Sequence, residues 1–317
     1  MQAISDGYRA YIKPLVSASH FDNIDRTLKL LCTRYGSTSA NQFGPRRLKE
    51  VRAAMIGQGW KRGSINAAIR QIVAAFRWAT SEELVSAEVH ASLAAIPNLK
   101  SGEAGVEDGG RVLPVAISRI NAVRPHLPRQ VVAMIDLQLL TGMRPGEVVT
   151  MRLRELERVG TVWVYRPATH KNAHRGIERE VLLGPRAISI LSPYLKSLKL
   201  DGYLFDPRQA TAEYRAEGAT TRRRRGQAET PRATDRTIGD HYTAGTYRQA
   251  IQRACKQAGV PRWSPNQLRH NAATKLRREH GLEKAALLLG HSEATVTATH
   301  YAERDRGALE AIVAKIG

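Results

Sequence analysis

Cysteine is nearly absent. The 317 residues contain two, Cys32 and Cys255, far apart and without C-x-x-C spacing, so neither a disulfide framework nor a thiolate zinc site is available. Both are expected as buried or half-buried free thiols. No run of about 18 apolar residues occurs, the length a membrane-crossing helix needs, and residues 1–13 hold no apolar signal core. The chain therefore reads as cytoplasmic, with no membrane partner. The histidines supply no metal set: His291 and His300 lie too far apart for a helical pair, and His170 and His174 lack the intervening glutamate of a zincin. No internal repeat is visible. Acidic residues are also scarce, 29 against 49 basic ones, which leaves a formal charge of +20 and a pI near 10.4.

That excess points to a polyanionic partner, most simply nucleic acid. Of the basic residues 37 are arginine, whose planar fork meets phosphate oxygens bidentately. Codon bias could set the ratio of arginine to lysine but not the excess itself. With 42% hydrophobic and 25% charged residues, the chain can bury real cores, and its length suits about two domains.

Residues from about 20 to 95 pattern as helix. Ile65, Ala68, Ile69, Ile72, Val73 and Phe76 form one apolar stripe at the 3.6 period, with Ser64 as the expected cap. The polar side carries Lys61, Arg62, Arg70 and Arg77, candidates for DNA phosphates. Residues 1–99 hold thirteen basic and seven acidic side chains. The segment 99–112, rich in Gly and acidic residues, reads as an interdomain linker. Beyond it, Val131 to Leu140 predicts a strongly apolar helix ending at Thr141-Gly142. Thr161 to Arg166 and Glu178 to Leu183 are β-prone and predict a hairpin with a long turn. Gly184-Pro185 opens another helix through about Leu195. Residues 207–243 form a polar stretch holding Arg222, Arg223, Arg224 and Arg225, expected as a long functional loop that contacts nucleic acid or orders on binding. From about Ala244 the pattern is helical again.

The most informative segment is Thr141-Gly142-Met143-Arg144-Pro145-Gly146-Glu147. An apolar helix stops at Gly142, and Pro145 can start a new one with Glu147 in its first turn, which holds Arg144 at a rigid junction. Later come Pro265-Asn266-Gln267-Leu268-Arg269-His270, then Leu288-Leu289-Gly290-His291, then Tyr301. In order and spacing these resemble the T-G-x-R-x-x-E, H-x-L-R-H and L-G-H motifs and nucleophilic tyrosine of the tyrosine recombinase (phage integrase) family, in its bacterial integrase type.

The resemblance implies a mainly α fold with a small β component: a helical core-binding domain at 1–98, a linker at 99–112 and an α+β catalytic domain at 113–317. No arm-binding domain is expected ahead of it. It implies site-specific cleavage and rejoining of DNA through a 3′-phosphotyrosyl intermediate on Tyr301, without metal or cofactor. Arg144 and Arg269 would hold the non-bridging oxygens, preorganised cations being the largest available term for a charged transition state. Lys171, in the hairpin loop, would protonate the leaving 5′-oxygen. His291 would hydrogen-bond the scissile phosphate or the nucleophile, Asn266 could donate to a phosphate oxygen, and Glu147 would orient the basic groups. His270 is expected from its helix position to pack against the core, although the family pattern places it near the site, and Trp263 is expected as an apolar anchor under the motif.

Two departures from the family pattern stand out. Asn266 occupies the usual first histidine of H-x-x-R and cannot carry a proton. Ten residues separate His291 from Tyr301 where nine are common. The partner implied is a double-stranded recombination site, bound by a tetramer that exchanges C-terminal helices; Leu309, Ile312, Val313 and Ile316 supply a tail stripe. The location implied is the bacterial cytoplasm, at the nucleoid. Two other readings remain open at this point: a catalytically impaired relative that binds DNA without turnover, and a type IB topoisomerase-like enzyme.

Overall fold

The computed structural model describes residues 1–110, 112–170, 176, 178–195, 200–224 and 238–290, excluding the side chains of 217–224. The chain divides into two compact units, Met1–Arg111 and Val112–Gly317. Among the described residues no helix is long and apolar enough to cross a membrane.

The first unit packs five helices, α1 (Gln2–Ile12), α2 (Ala18–Tyr35), α3 (Pro45–Gly57), α4 (Arg62–Ser81) and α5 (Ala87–Ala94). The predicted stripe is the core of this unit: Ile65, Ala68, Ile69, Ile72 and Phe76 of α4 are buried. Phe76 stacks on Phe43 at 5.4 Å between ring centroids, beside Leu28, Leu31, Leu48, Val51 and Met55. Burying each large apolar side chain contributes about 1.5–3 kcal/mol, so this stripe anchors the unit. Helix begins earlier than the patterning suggests, at Gln2. The cap expected at Ser64 is displaced: α4 starts at Arg62 with Lys61 as its N-cap residue, because the extended backbone needed at a cap falls at Lys61.

Most of the segment expected as a linker lies down on this unit. Leu99 and Val106 are buried, and Asn66 closes a two-way bond with Leu99, accepting from its N–H at 2.9 Å and donating to its carbonyl at 3.1 Å. Glu107 and Asp108 pair with Lys61 and Arg62. Glycines and acids resemble a free linker in composition, but two apolar residues and two carboxylates facing a basic helix start are enough to dock it.

The second unit contains α6 (Ile117–Val123), α7 (Arg129–Thr141), α8 (Pro145–Val149), strands β1 (Leu156–Val159), β2 (Val162–Tyr165) and β3 (Val181–Leu183), then α9 (Pro185–Leu195), α10 (Pro207–Arg224), α11 (Ala244–Gln257), α12 (Pro265–His280) and α13 (Leu282–Leu289). The strands form one antiparallel sheet in the order β1-β2-β3. Trp163 faces Leu183 and Tyr165 faces Val181 across the predicted hairpin. β1 was not legible in the sequence: three of its four residues are exposed, so it carries no apolar alternation. α10 overturns the expectation of a long loop from 207. Its polar sequence has little periodicity, yet Ala210 is buried and Glu213 accepts from Arg129 Nε at 2.9 Å and from Gln130 Nε2 at 3.2 Å. Residues 225–237, with Arg225, lie outside the described residues, as does the tail stripe. Trp263 is buried in the core, as is Cys255, while Cys32 is half-buried.

α7 runs through the middle of the unit, with Val131, Met134, Ile135 and Leu137 buried, and stops at Gly142 in the left-handed conformation, φ +65°. A Cβ there would overlap Leu289 of α13 and stand 3.4 Å from the Ala272 Cβ of α12. Two constraints thus meet at this glycine. Gly142→Ala is expected to cost about 1–2 kcal/mol from backbone conformation alone, with further loss from displaced Leu289; a fall in unfolding free energy below 0.5 kcal/mol, measured by urea denaturation, would contradict this.

Candidate active site

Past Gly142 the chain turns and Arg144 becomes the N-cap residue of α8, with Pro145 in the first helical turn. Thr141 Oγ1 accepts from the Met143 N–H, and Gln138 Nε2 donates to the Met143 carbonyl at 2.9 Å, so the turn is tied from within. Glu147 closes it. One carboxylate oxygen accepts from the Arg144 backbone N–H and the other from Arg144 Nη1, both at 2.8 Å. The Tyr165 hydroxyl of β2 donates to the Glu147 carbonyl at 2.7 Å. Arg144 keeps its side chain about one quarter exposed while Glu147 is 2% exposed. The acid is thus a buried anchor for a cation that reaches the surface.

α12 begins at Pro265, after Ser264, whose N–H donates to Gln267 Oε1 at 2.9 Å. Asn266 in its first turn is exposed. One turn further, Arg269 is fully buried. Its Nη1 donates to the Gly142 carbonyl at 2.7 Å and its Nη2 to the Leu289 carbonyl at 2.9 Å. One guanidinium therefore joins three segments far apart in sequence: the turn before Arg144, α12 itself, and the end of α13 before Gly290. His270 is buried beside it.

Arg179 is a member of this cluster that the motif reading missed. It is 5% exposed, and its Nε stands 3.6 Å from Glu147 Oε1. Burial opposes ionisation of Glu147, but the Arg179 charge, the Arg144 N–H and the Arg144 guanidinium outweigh it and hold the carboxyl below its ordinary range. Burial pulls the Arg179 guanidinium down, and Glu147 partly offsets this. A signal for Arg179 was present: it is in phase with Val181 and Leu183, both buried, whereas Leu182 is exposed. Period-two alternation carried one residue upstream places this charge inward.

A shallow cleft of about 390 Å³ is lined by Arg144, Gly146, Glu147, Thr150, Thr169 and His170. It brings the α8 junction against the loop stem that leads directly to Lys171. Lys171, His291 and Tyr301 themselves lie outside the described residues. Of the six expected catalytic residues, then, Arg144, Asn266 and Arg269 are placed, with Arg144 and Arg269 linked through Gly142. Among the described residues no group of three His, Cys, Asp or Glu could hold a metal ion.

The DNA-contact candidates of the first unit divide into two kinds. Arg70 and Arg77 are exposed on α4 opposite its buried stripe. Lys61 and Arg62 are instead ion-paired with Glu107 and Asp108, so a phosphate would compete with these carboxylates for them. Arg222 and Arg223 fall in α10, where side chains are outside the description.

Removing one partner of a buried ion pair leaves the other charge uncompensated. Glu147→Ala is expected to cost about 3–5 kcal/mol, measured by chemical denaturation. The pH dependence follows from the sign of the shift. A carboxyl whose folded pKa is depressed contributes stability above its unfolded value near 4.3, and that stability is lost as pH falls through the folded value. Glu147→Gln should therefore flatten stability against pH below about 4.5; an unchanged acid limb would show that Glu147 is not the ionised anchor.

Residues 116–307 match the model of the phage integrase family. No curated protein sequence matches the chain. Among solved structures the chain is similar to a lambda integrase(75-356) dimer bound to a COC′ core site, with a TM-score of 0.68 and 16% identity, covering 96% of each chain. It is also similar to the Tn1549 transposon integrase (aa 82-397) in complex with circular intermediate DNA, with a TM-score of 0.65 and 17% identity over 98% of each chain. The XerH site-specific recombinase bound to a palindromic difH substrate gives a TM-score of 0.61 at 15% identity, covering 93% of this chain and 79% of that one. At these identities the likeness is one of fold.

Proposed function

The chain belongs to the phage integrase family, the tyrosine recombinases that cleave and rejoin DNA by transesterification, and on that premise we propose how its own residues divide the work. The observation that carries the reading is the grip of Arg269 on Gly142 and Leu289, which gathers the three motifs around one point. Arg144 and Arg269 hold the non-bridging oxygens of one scissile phosphate. Tyr301 attacks phosphorus, the bond to the 5′-oxygen breaks, and a 3′-phosphotyrosine forms. A free phenol with pKa near 10 is only about 0.1% ionised at neutral pH, so adjacent guanidinium charge is required to favour the phenolate. Lys171 gives its proton to the leaving 5′-oxygen. His291 and Asn266 donate hydrogen bonds to the phosphate region. A second 5′-hydroxyl reverses the step on a new strand, conserving the bond energy without a cofactor.

The partner is a duplex recombination site, recognised by the first unit as a core-binding domain and by the second as the catalytic domain. The similar solved structures include a lambda integrase tetramer bound to a Holliday junction, and we propose the same number of copies for this chain, exchanging the 309–316 stripe between neighbours. We place this activity in the bacterial cytoplasm, at the nucleoid, where a duplex recombination site would be met. A second reading, site-specific binding without turnover, is favoured by one feature, Asn266 in place of a proton-carrying histidine.

The two readings part on a suicide duplex carrying the element ends. A covalent protein–DNA adduct that disappears in Tyr301→Phe is the expected result; binding without any such adduct would leave the non-catalytic reading. Phosphate contacts also have a salt signature. Each contact releases counterions, so the slope of log affinity against log salt changes by about 0.9 per neutralised phosphate. Arg70→Gln with Arg77→Gln should make that slope shallower by nearly two, and an unchanged slope would remove these arginines from the DNA-binding face.

A further inference from the structure

Resting on the function proposed above, we propose that Arg179 is a positioning residue for the phosphate site, holding Glu147 as a full-time acceptor for Arg144 and setting the turn that leads into His291.

The geometry separates the roles of the two arginines around Glu147. Arg144 takes the hydrogen bonds, one to each carboxylate oxygen at 2.8 Å. Arg179 stays at 3.6 Å, outside hydrogen-bond reach, and its buried Nε and Nη2 have no hydrogen-bond partner among the described residues. A pair serving only to staple the fold would close to the short, aligned contact that Arg144 makes, since leaving buried donors unsatisfied is costly. Closing would also compete with Arg144 for Glu147 Oε1. Glu147 therefore experiences Arg179 as a charge, while its lone pairs remain with Arg144.

Arg179 also shapes the other side of the site. A Cβ built on Gly290 would overlap its Nη1 and stand 2.9 Å from its Cζ. Gly290 is the left-handed cap of α13, φ +67°, and the residue immediately before His291. Arg179 is itself held by Nη1 donating to the Glu180 carbonyl at 2.9 Å, on the backbone entering β3. One side chain thus links the entry to β3, the Arg144 junction and the end of α13, where the sequence continues into His291.

Single-turnover cleavage of the suicide duplex at saturating DNA tests this. Arg179→Met should lower the rate by about 10²-fold, the scale of an ångström-level misplacement, with DNA affinity within about threefold. Without the Arg179 charge Glu147 binds a proton more readily, so the acid limb of the rate should move to higher pH. Arg179→Lys should restore that limb to its wild-type position and recover most of the rate. If Arg179→Met fails to fold, Arg179→Met with Glu147→Gln removes the unpaired anion; the expected result is a slow enzyme with no acid limb in this range. Wild-type rate and pH profile in a folded Arg179→Met protein would overturn the proposal. Should the wild-type protein give no Tyr301-dependent adduct, the recombinase reading falls, and the Arg179 proposal is still decided by NMR. The Glu147 carboxyl should titrate at higher pH in Arg179→Met, and the Arg144 Nη–H protons should exchange faster with water than in the wild-type protein. Both unchanged would sink it.

Discussion

A guanidinium removed from water must recover its hydration through fixed acceptors, and Arg269 does so on two backbone carbonyls, those of Gly142 and Leu289. Backbone acceptors cannot swing away as side chains can, so the ion is held only when α7, α12 and α13 end in one arrangement. Left-handed Gly142 presents its carbonyl while leaving room for Leu289. The apolar packing of the second unit brings these helices near one another; the buried cation fixes their ends.

A second layer of charge sits on this frame. Glu147 is nearly inaccessible, yet it is kept ionised by two arginines of different reach. The partly exposed Arg144 owes its fixed direction to that buried acid and to the Tyr165 hydroxyl that ties the Glu147 backbone to the sheet. Arg144 is partly exposed while Arg269 and Arg179 are buried, so a phosphate held here meets positive charge that is already in place. The same protein treats basic residues differently in its first unit, where Lys61 and Arg62 are taken up by Glu107 and Asp108 and Arg70 and Arg77 are left to solvent.

The elements that were readable in advance share a local cause. The α4 stripe, the end of α7 at Gly142, the start of α8 at Pro145 and the hairpin strands are each written in apolar periodicity or in residues with restricted dihedrals. Those that were not readable depend on distant partners. β1 has no buried face to advertise it, α10 is helical through Glu213 bonding to Arg129 and Gln130 of α7, and the 99–110 segment docks because basic residues from α4 face its carboxylates.

The site divides along the same line. The order of Arg144, Glu147, Arg269, His291 and Tyr301 was sufficient by itself to identify the family and the chemistry, because the reaction restricts which residue types can occupy those positions. Net charge by itself pointed to a polyanion. Only the tertiary structure decided that Arg269 is wholly buried and grips two carbonyls, that Lys61 and Arg62 are ion-paired with Glu107 and Asp108, and that Arg179, outside every motif, lies against both Glu147 and Gly290. The physical reason is burial: a charge's function depends on its distance from water and from other charges, and chain folding sets both.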